Sequence, residues 1–177
     1  HLVLRRQRQM CIRDRMKSDA RMAHAVSRVH ESGLPLVYVN MVGGQDELVY
    51  DGASFALNAD GKLAAHLPSF SETTSVIRVG EDFGVPSLTG QMTPPDDGMG
   101  ALYRGLTLGL RDYIDKNGFP GVVLGLSGGI DSAIVAALAV DALGAERVHA
   151  VMMPSPYTSQ ESLDDAADLA GRLGIRL

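Results

Sequence analysis

Residues 121–143 read GVVLGLSGGIDSAIVAALAVDAL. Residues 121–126 form an apolar run short enough for a buried strand. Residues 130–143 are almost wholly apolar and long enough for a helix buried on most faces. Between them lie Ser127, Gly128 and Gly129, a tight turn at a helix start. Strand, glycine turn and buried helix make the opening of a βαβ unit. Downstream, residues 148–153 predict a second strand. Residues 159–173 predict an amphipathic helix with Leu163, Ala166, Ala167, Ala170 and Leu173 inward, and Ile175 begins a third strand. Upstream, Met99, Leu102, Leu106, Leu110, Tyr113 and Ile114 share one helical face, and Gly118-Phe119-Pro120 ends that helix. The class is α/β with a parallel sheet. A doubly wound domain needs more strands than these, so the unit is expected to be cut off in mid-fold.

The first half reads differently. Residues 17–32 carry a helical stripe, Met22, Ala25, Val26 and Val29, stopped by Gly33 and Pro35. Residues 36–39 predict a buried strand and residues 42–47 a loop. Residues 53–57 and 62–67 predict strands joined by a turn at Asn58-Ala59-Asp60-Gly61, where glycine tolerates positive φ. Residues 75–79 are another candidate strand. This series reads as the closing part of an α/β layer. Residues 84–98 hold three of the eight prolines and three glycines without apolar periodicity, which predicts a linker. Four segments result: 1–15, 16–83, 84–98 and 99–177.

Residues 1–15, HLVLRRQRQMCIRDR, stand apart. They hold five of the 16 basic residues and the only cysteine, Cys11. Their apolar patch is too short for a secretory leader. The run resembles translated sequencing-adapter read-through and is expected to be non-native. The remaining chain carries 11 basic and 20 acidic residues, against 16 and 21 for the whole, so a net charge of −5 hides a −9 protein. The whole-chain charge of −5 already argues against a nucleic-acid partner. No apolar run of membrane-spanning length occurs, so no membrane partner is expected. One cysteine excludes an intramolecular disulfide and any CxxC site. The five histidines lack metal-ligand spacing. His24, His30, His66 and His149 read as surface or structural residues.

Chemistry is concentrated in Gly125-Leu126-Ser127-Gly128-Gly129-Ile130-Asp131-Ser132. The glycines let backbone approach a ligand closely. The helix start supplies unpaired N–H groups and the positive end of the dipole, which favour an anion. Ser127 and Ser132 offer hydroxyl donors. Asp131 suits a Mg²⁺ ion that bridges phosphates, not a phosphate itself. The lysine of a Walker loop is missing, and the run is not GxGxxG. A purely structural turn, with serine or aspartate as the helix cap, is the plain alternative.

The SGGIDS run resembles the pyrophosphate-binding PP-loop of the ATP pyrophosphatases, which cleave ATP between the α- and β-phosphates. Within them, Met152-Met153-Pro154-Ser155-Pro156-Tyr157-Thr158-Ser159 with Ser162-Leu163-Asp164-Asp165-Ala166 resembles the MPSRYTS…SLDDA stretch of glutamine-dependent NAD synthetases. Pro156 stands where that family usually has arginine, so no arginine contact is carried over. Without the family, the stretch is a strand end, a proline loop and a Ser159 helix cap. Residues 40–55, NMVGGQDELVYDGASF, resemble a late section of the nitrilase-like glutaminase domain fused to that synthetase. Read alone, Asp46, Glu47 and Asp51 would be a solvated acidic loop.

The resemblance implies the C-terminal part of a nitrilase-like α/β layer domain joined to the first βαβ units of a Rossmann-like adenine nucleotide α-hydrolase sheet. It implies that Gly125, Leu126, Ser127, Gly128, Gly129, Ile130, Asp131 and Ser132 hold ATP and its pyrophosphate, with Asp131 a Mg²⁺ ligand. Met152 would pack against adenine. Lys17 matches a lysine linked to glutamine binding, a helix-start lysine in solvent being the alternative. The implied reaction adenylates deamido-NAD with ATP, and ammonia from glutamine then displaces AMP to give NAD. The glutaminase Glu–Lys–Cys triad is not matched, Cys11 included, so the segment holds no catalytic residue and is expected to be inactive alone. The family implies a cytoplasmic, homo-oligomeric enzyme. The alternatives are another PP-loop amidotransferase, a non-catalytic nucleotide-binding module and a stand-alone nitrilase-type hydrolase.

Overall fold

The computed structural model describes residues 17–82, 84–96 and 98–177; the expectations for residues 1–15, Cys11 included, lie outside them. The chain divides into two compact units, His1–Gly105 and Leu106–Leu177.

In the second unit, the end of helix α2 (Gly98–Lys116) leads to strand β8 (Val122–Gly125), helix α3 (Ile130–Leu143), strand β9 (Val148–Val151) and helix α4 (Gln160–Leu173). Strands β8 and β9 are parallel, with Val122 opposite Val148 and Gly125 opposite Val151. Parallel strands need a crossover, and α3 supplies it. A third parallel partner begins where expected: Arg176 bridges to His149, and its carbonyl accepts from the Ala150 N–H at 2.8 Å. The core joins Ile114, Leu126, Val148, Ala150 and Ile175 to alanines of α3 and α4.

Helix ends follow their residues. At the end of α2, Gly118 adopts φ +69° and the Phe119 N–H donates to the Ile114 carbonyl at 3.0 Å. This glycine-terminated closure satisfies a carbonyl that the helix leaves open. Ser159 caps α4 by accepting from the Ser162 N–H.

Three helix burial expectations need correction, the first being Ala167 of α4, expected inward but exposed. α3 has the predicted limits, but its buried line is Ala136, Ala139, Ala142 and Leu143. Ile130, Ile134 and Val135 are at least half exposed. An apolar helix has no polar face to mark its outside, and small alanines let it lie close to the sheet. In α2, Ile114 and Leu110 reach the core, whereas Met99, Leu106 and Tyr113 are exposed. Leu108 is buried instead. Two adjoining lines of this helix are apolar, and a 3.6-residue period does not choose between them.

In the first unit, helix α1 (Lys17–Ser32) packs on a three-stranded antiparallel sheet of β1 (Leu36–Tyr38), β4 (Phe55–Leu57) and β5 (Leu63–His66), in the order β1-β4-β5. Ala25, Val29, Phe55 and Leu57 form the core between them. The predicted turn joins β4 to β5: Gly61 has φ +79°, and the Asn58 N–H donates to the Lys62 carbonyl. β1 is an edge strand with Val37 exposed, not the buried strand expected.

The loop expected at 42–47 is a hairpin. Strands β2 (Val42–Gln45) and β3 (Leu48–Asp51) pair with Gln45 opposite Leu48. Asp46 turns it at φ +53°, a conformation that aspartate adopts more readily than most residues. The candidate strand at 75–79 lies later, as β6 (Arg78–Asp82), and pairs with β7 (Val85–Thr89) inside the expected linker. Pro86 sits in that two-stranded ribbon opposite Glu81; edge strands tolerate a missing N–H. The implied α/β class holds, with a parallel sheet in the second unit.

Candidate functional site

The glycine-rich loop runs from the end of β8 into α3. Gly129 is the helix N-cap, with φ −85° and ψ 154°, and no side chain caps the helix. The first-turn N–H groups of a helix have no intrahelical acceptor. In α4 a serine takes one of them; in α3 none is taken by a capping side chain. The reading in which serine or aspartate merely caps α3 is therefore set aside. Asp131 is exposed in the first turn of α3.

Two hydroxyls bracket the loop. Ser127 Oγ and Ser132 Oγ lie 3.1 Å apart. The Ser132 hydroxyl donates to the Gly129 carbonyl at 2.9 Å, and the Ser127 N–H donates to Ser132 Oγ at 3.2 Å. The Gly129 N–H leans on Ser127 Oγ at 3.4 Å. Ser127 and Gly129 are exposed, Ser132 is half-buried, and all lie within a few ångströms of each other. Leu126 differs: its side chain is buried and its N–H donates to the Val151 carbonyl. It anchors the loop.

Gly128 is held in a way the sequence did not show. Its φ is +78°. A Cβ there would collide with the carbonyl oxygen of Ser162 and lie 2.9 Å from the Ser162 Cα. The loop thus rests on the first turn of α4. Ser162 was missed because no local pattern links positions 34 residues apart.

Met152 follows β9, half-buried against the core. Met153 is the methionine beside the loop: it is exposed, and its Cε lies 3.1 Å from where a Gly125 Cβ would stand. Among the described residues no cluster of three or more His, Cys, Asp or Glu could hold a metal ion. Asp131 is an exposed carboxylate that could give a metal ion one ligand.

Lys17 begins α1; its side chain lies outside the described residues. One turn on, Arg21 is buried and paired with both carboxylate oxygens of Asp51 at 2.9 Å. Asn40 Nδ2 donates to the same carboxylate at 2.7 Å and to the Gly52 carbonyl at 2.9 Å. Arg21 also lies 5.6 Å from the Tyr38 ring centroid, within cation–π range. Asp51 is thus a tied residue of the first unit, not part of a solvated acidic loop; Asp46 and Glu47 are exposed. The signal was available: Arg21, Ala25 and Val29 share one line of α1. Burial raises the Tyr38 hydroxyl above its ordinary pKa, Arg21 opposing and Asp51 adding to the shift. His66 is buried, with Nδ1 2.8 Å from the Thr93 carbonyl, a structural role as expected.

A parallel sheet with an uncapped, glycine-turned helix start is the arrangement of a nucleotide-binding α/β protein. Comparison with known proteins narrows that class. Residues 102–177 match the NAD synthase family. The chain is 55% identical over 166 residues to a glutamine-dependent NAD(+) synthetase of Rhodobacter capsulatus, covering 92% of this chain and 30% of that one. It is 46% identical over 143 residues to the corresponding synthetase of Acinetobacter baylyi, covering 79% of this chain and 26% of the relative. The glutamine-dependent NAD+ synthetase of Acinetobacter baumannii, solved in complex with ADP, superposes with a TM-score of 0.82 at 46% identity. The match covers 90% of this chain and 30% of that structure. The chain is thus similar to glutamine-dependent NAD synthetases over most of its own length, and it spans about 30% of the length of these relatives.

Proposed function

We propose that the chain is a segment of a glutamine-dependent NAD synthetase, and that residues 125–132 hold the pyrophosphate part of ATP. The observation that carries this is the α3 start, left uncapped between two facing serine hydroxyls. In the proposed reaction the carboxylate of deamido-NAD attacks the α-phosphorus of ATP and pyrophosphate leaves. Ammonia derived from glutamine then displaces AMP, giving NAD. Adenylation is needed because a free carboxylate is a poor electrophile.

The residues of this chain serve the first step. N–H groups of the loop and of the α3 first turn meet the charge that grows on the leaving pyrophosphate. Ser127 and Ser132 can turn their hydroxyls from each other toward phosphate oxygens. Asp131 would hold Mg²⁺, which supplies charge neutralisation and orientation when bound. In the relative from Acinetobacter baumannii the bound nucleotide is ADP; for this chain ATP is the proposed nucleotide. Met152, half-buried, offers little surface to adenine, and Met153 is better exposed for that contact. Lys17 is proposed to serve glutamine from the start of α1.

In this reading residues 16–83 belong to the end of the glutaminase domain and residues 99–177 open the synthetase domain; the stretch expected to link them, residues 84–98, begins instead with strand β7, whose Leu88 is buried with Ala56, Ala64 and Ala65 of the first unit. The whole enzyme is proposed to be cytoplasmic and homo-oligomeric; among the described residues no helix is long and apolar enough to cross a membrane. The segment alone is expected to turn over nothing. The test is ammonia transfer by the full-length enzyme carrying this segment, offered deamido-NAD or xanthosine monophosphate. NAD formation with no turnover of the xanthosine nucleotide is expected. Failure to use deamido-NAD would sink the assignment in favour of another amidotransferase.

A further inference from the structure

We propose that Ser159 is a positioning residue for the phosphate loop, acting through the backbone of Ser162; this rests on the reading of residues 125–132 as a pyrophosphate site. Ser159 Oγ accepts from the Ser162 N–H at 3.2 Å, and the two hydroxyls lie 2.9 Å apart. The segment leading to this cap is tied in turn. The Ser155 N–H donates to Thr158 Oγ1 at 2.9 Å, and the Thr158 N–H donates to the Ser155 carbonyl at 3.0 Å. The cap fixes the first turn of α4, and Gly128 lies directly on the Ser162 carbonyl in that turn.

The chain of effect is short. Without an acceptor at position 159, the first turn of α4 frays and the Ser162 backbone moves. Gly128 then loses the surface that fixes its φ of +78°. The loop N–H groups no longer converge before the ligand arrives, so binding must order them and weakens. Ser159 touches no ligand in this account.

The experiment uses the full-length enzyme carrying this segment and inorganic pyrophosphate as the probe, with affinity from calorimetry and amide exchange at residues 127–132. Four proteins are compared: the wild-type enzyme, Ser159→Ala, Ser159→Asp and Ala167→Gly. Ser159→Asp keeps a capping acceptor. Ala167→Gly weakens α4 by a similar amount at an exposed interior position, away from the cap. Ser159→Ala should weaken pyrophosphate binding about fivefold, the equivalent of a lost cap, and speed exchange at Gly128 and Gly129. Ser159→Asp should restore slow exchange, and Ala167→Gly should leave both readouts at the wild-type level. Equal affinity in Ser159→Ala and wild type overturns the proposal alone. An equal loss in Ala167→Gly also overturns it, since helix stability and not the cap would then be the cause. No pyrophosphate binding by the wild-type enzyme removes the loop assignment, and the proposal with it.

Discussion

Gly128 shows how much one position can be asked to do. It needs a positive φ and it needs no Cβ. Gly118 shares the first demand only, since nothing lies within 4 Å of a Cβ added there. Gly118→Ala should therefore cost about 1 kcal/mol, the ordinary penalty of the left-handed region. Gly128→Ala should cost more than about 2 kcal/mol, because the Ser162 backbone must also shift. Urea unfolding of the two variants checks the difference. In the first unit, Asp51→Ala leaves the buried Arg21 cation without its carboxylate and should cost about 3 kcal/mol. Tyr38 gives a pH prediction. Its folded pKa is raised above the ordinary tyrosine value of 10.0, so the neutral hydroxyl is the form that the fold favours. This contribution is fully present below pH 10 and is lost as pH rises through the folded pKa. Absorbance at alkaline pH should show Tyr38 ionising above the ordinary tyrosine range, and Tyr38→Phe should reduce the alkaline loss of stability.

Elements were legible where their pattern is local. The limits of α3 and the closures at Gly118 and Ser159 follow from residues a few positions apart. β6 and β7 were not legible in this way, because their pairing joins residues such as Val79 and Leu88 across a turn. Proline and glycine in 84–98 argued for a linker, yet a two-stranded ribbon has free edges that accommodate both. Burial in α3 was misjudged because alanine and isoleucine both count as apolar. What separates them is distance to the sheet, which favours the smaller. Ala136→Leu should thus cost about 2 kcal/mol by overpacking. Val135→Lys, on the exposed side, should stay within about 0.5 kcal/mol. Thermal unfolding of both variants decides whether the small-residue line is the buried one.

At the scale of the molecule, two units carry two kinds of information. The proposed phosphate loop is drawn from residues 125–132 because its chemistry is backbone chemistry written in glycines. Its support could not be read in this way, because Ser162 meets it only in the folded chain. In the first unit the Arg21, Asp51 and Asn40 network joins α1, β3 and the loop after β1, which local pattern reads separately. The loop is proposed to serve cleavage of ATP between its α- and β-phosphates. Phosphorus-31 NMR of the products formed by the full-length enzyme carrying this segment, with ATP, deamido-NAD and glutamine, tests it most directly. AMP and pyrophosphate, formed in step with NAD, are predicted; ADP and inorganic phosphate would contradict the account.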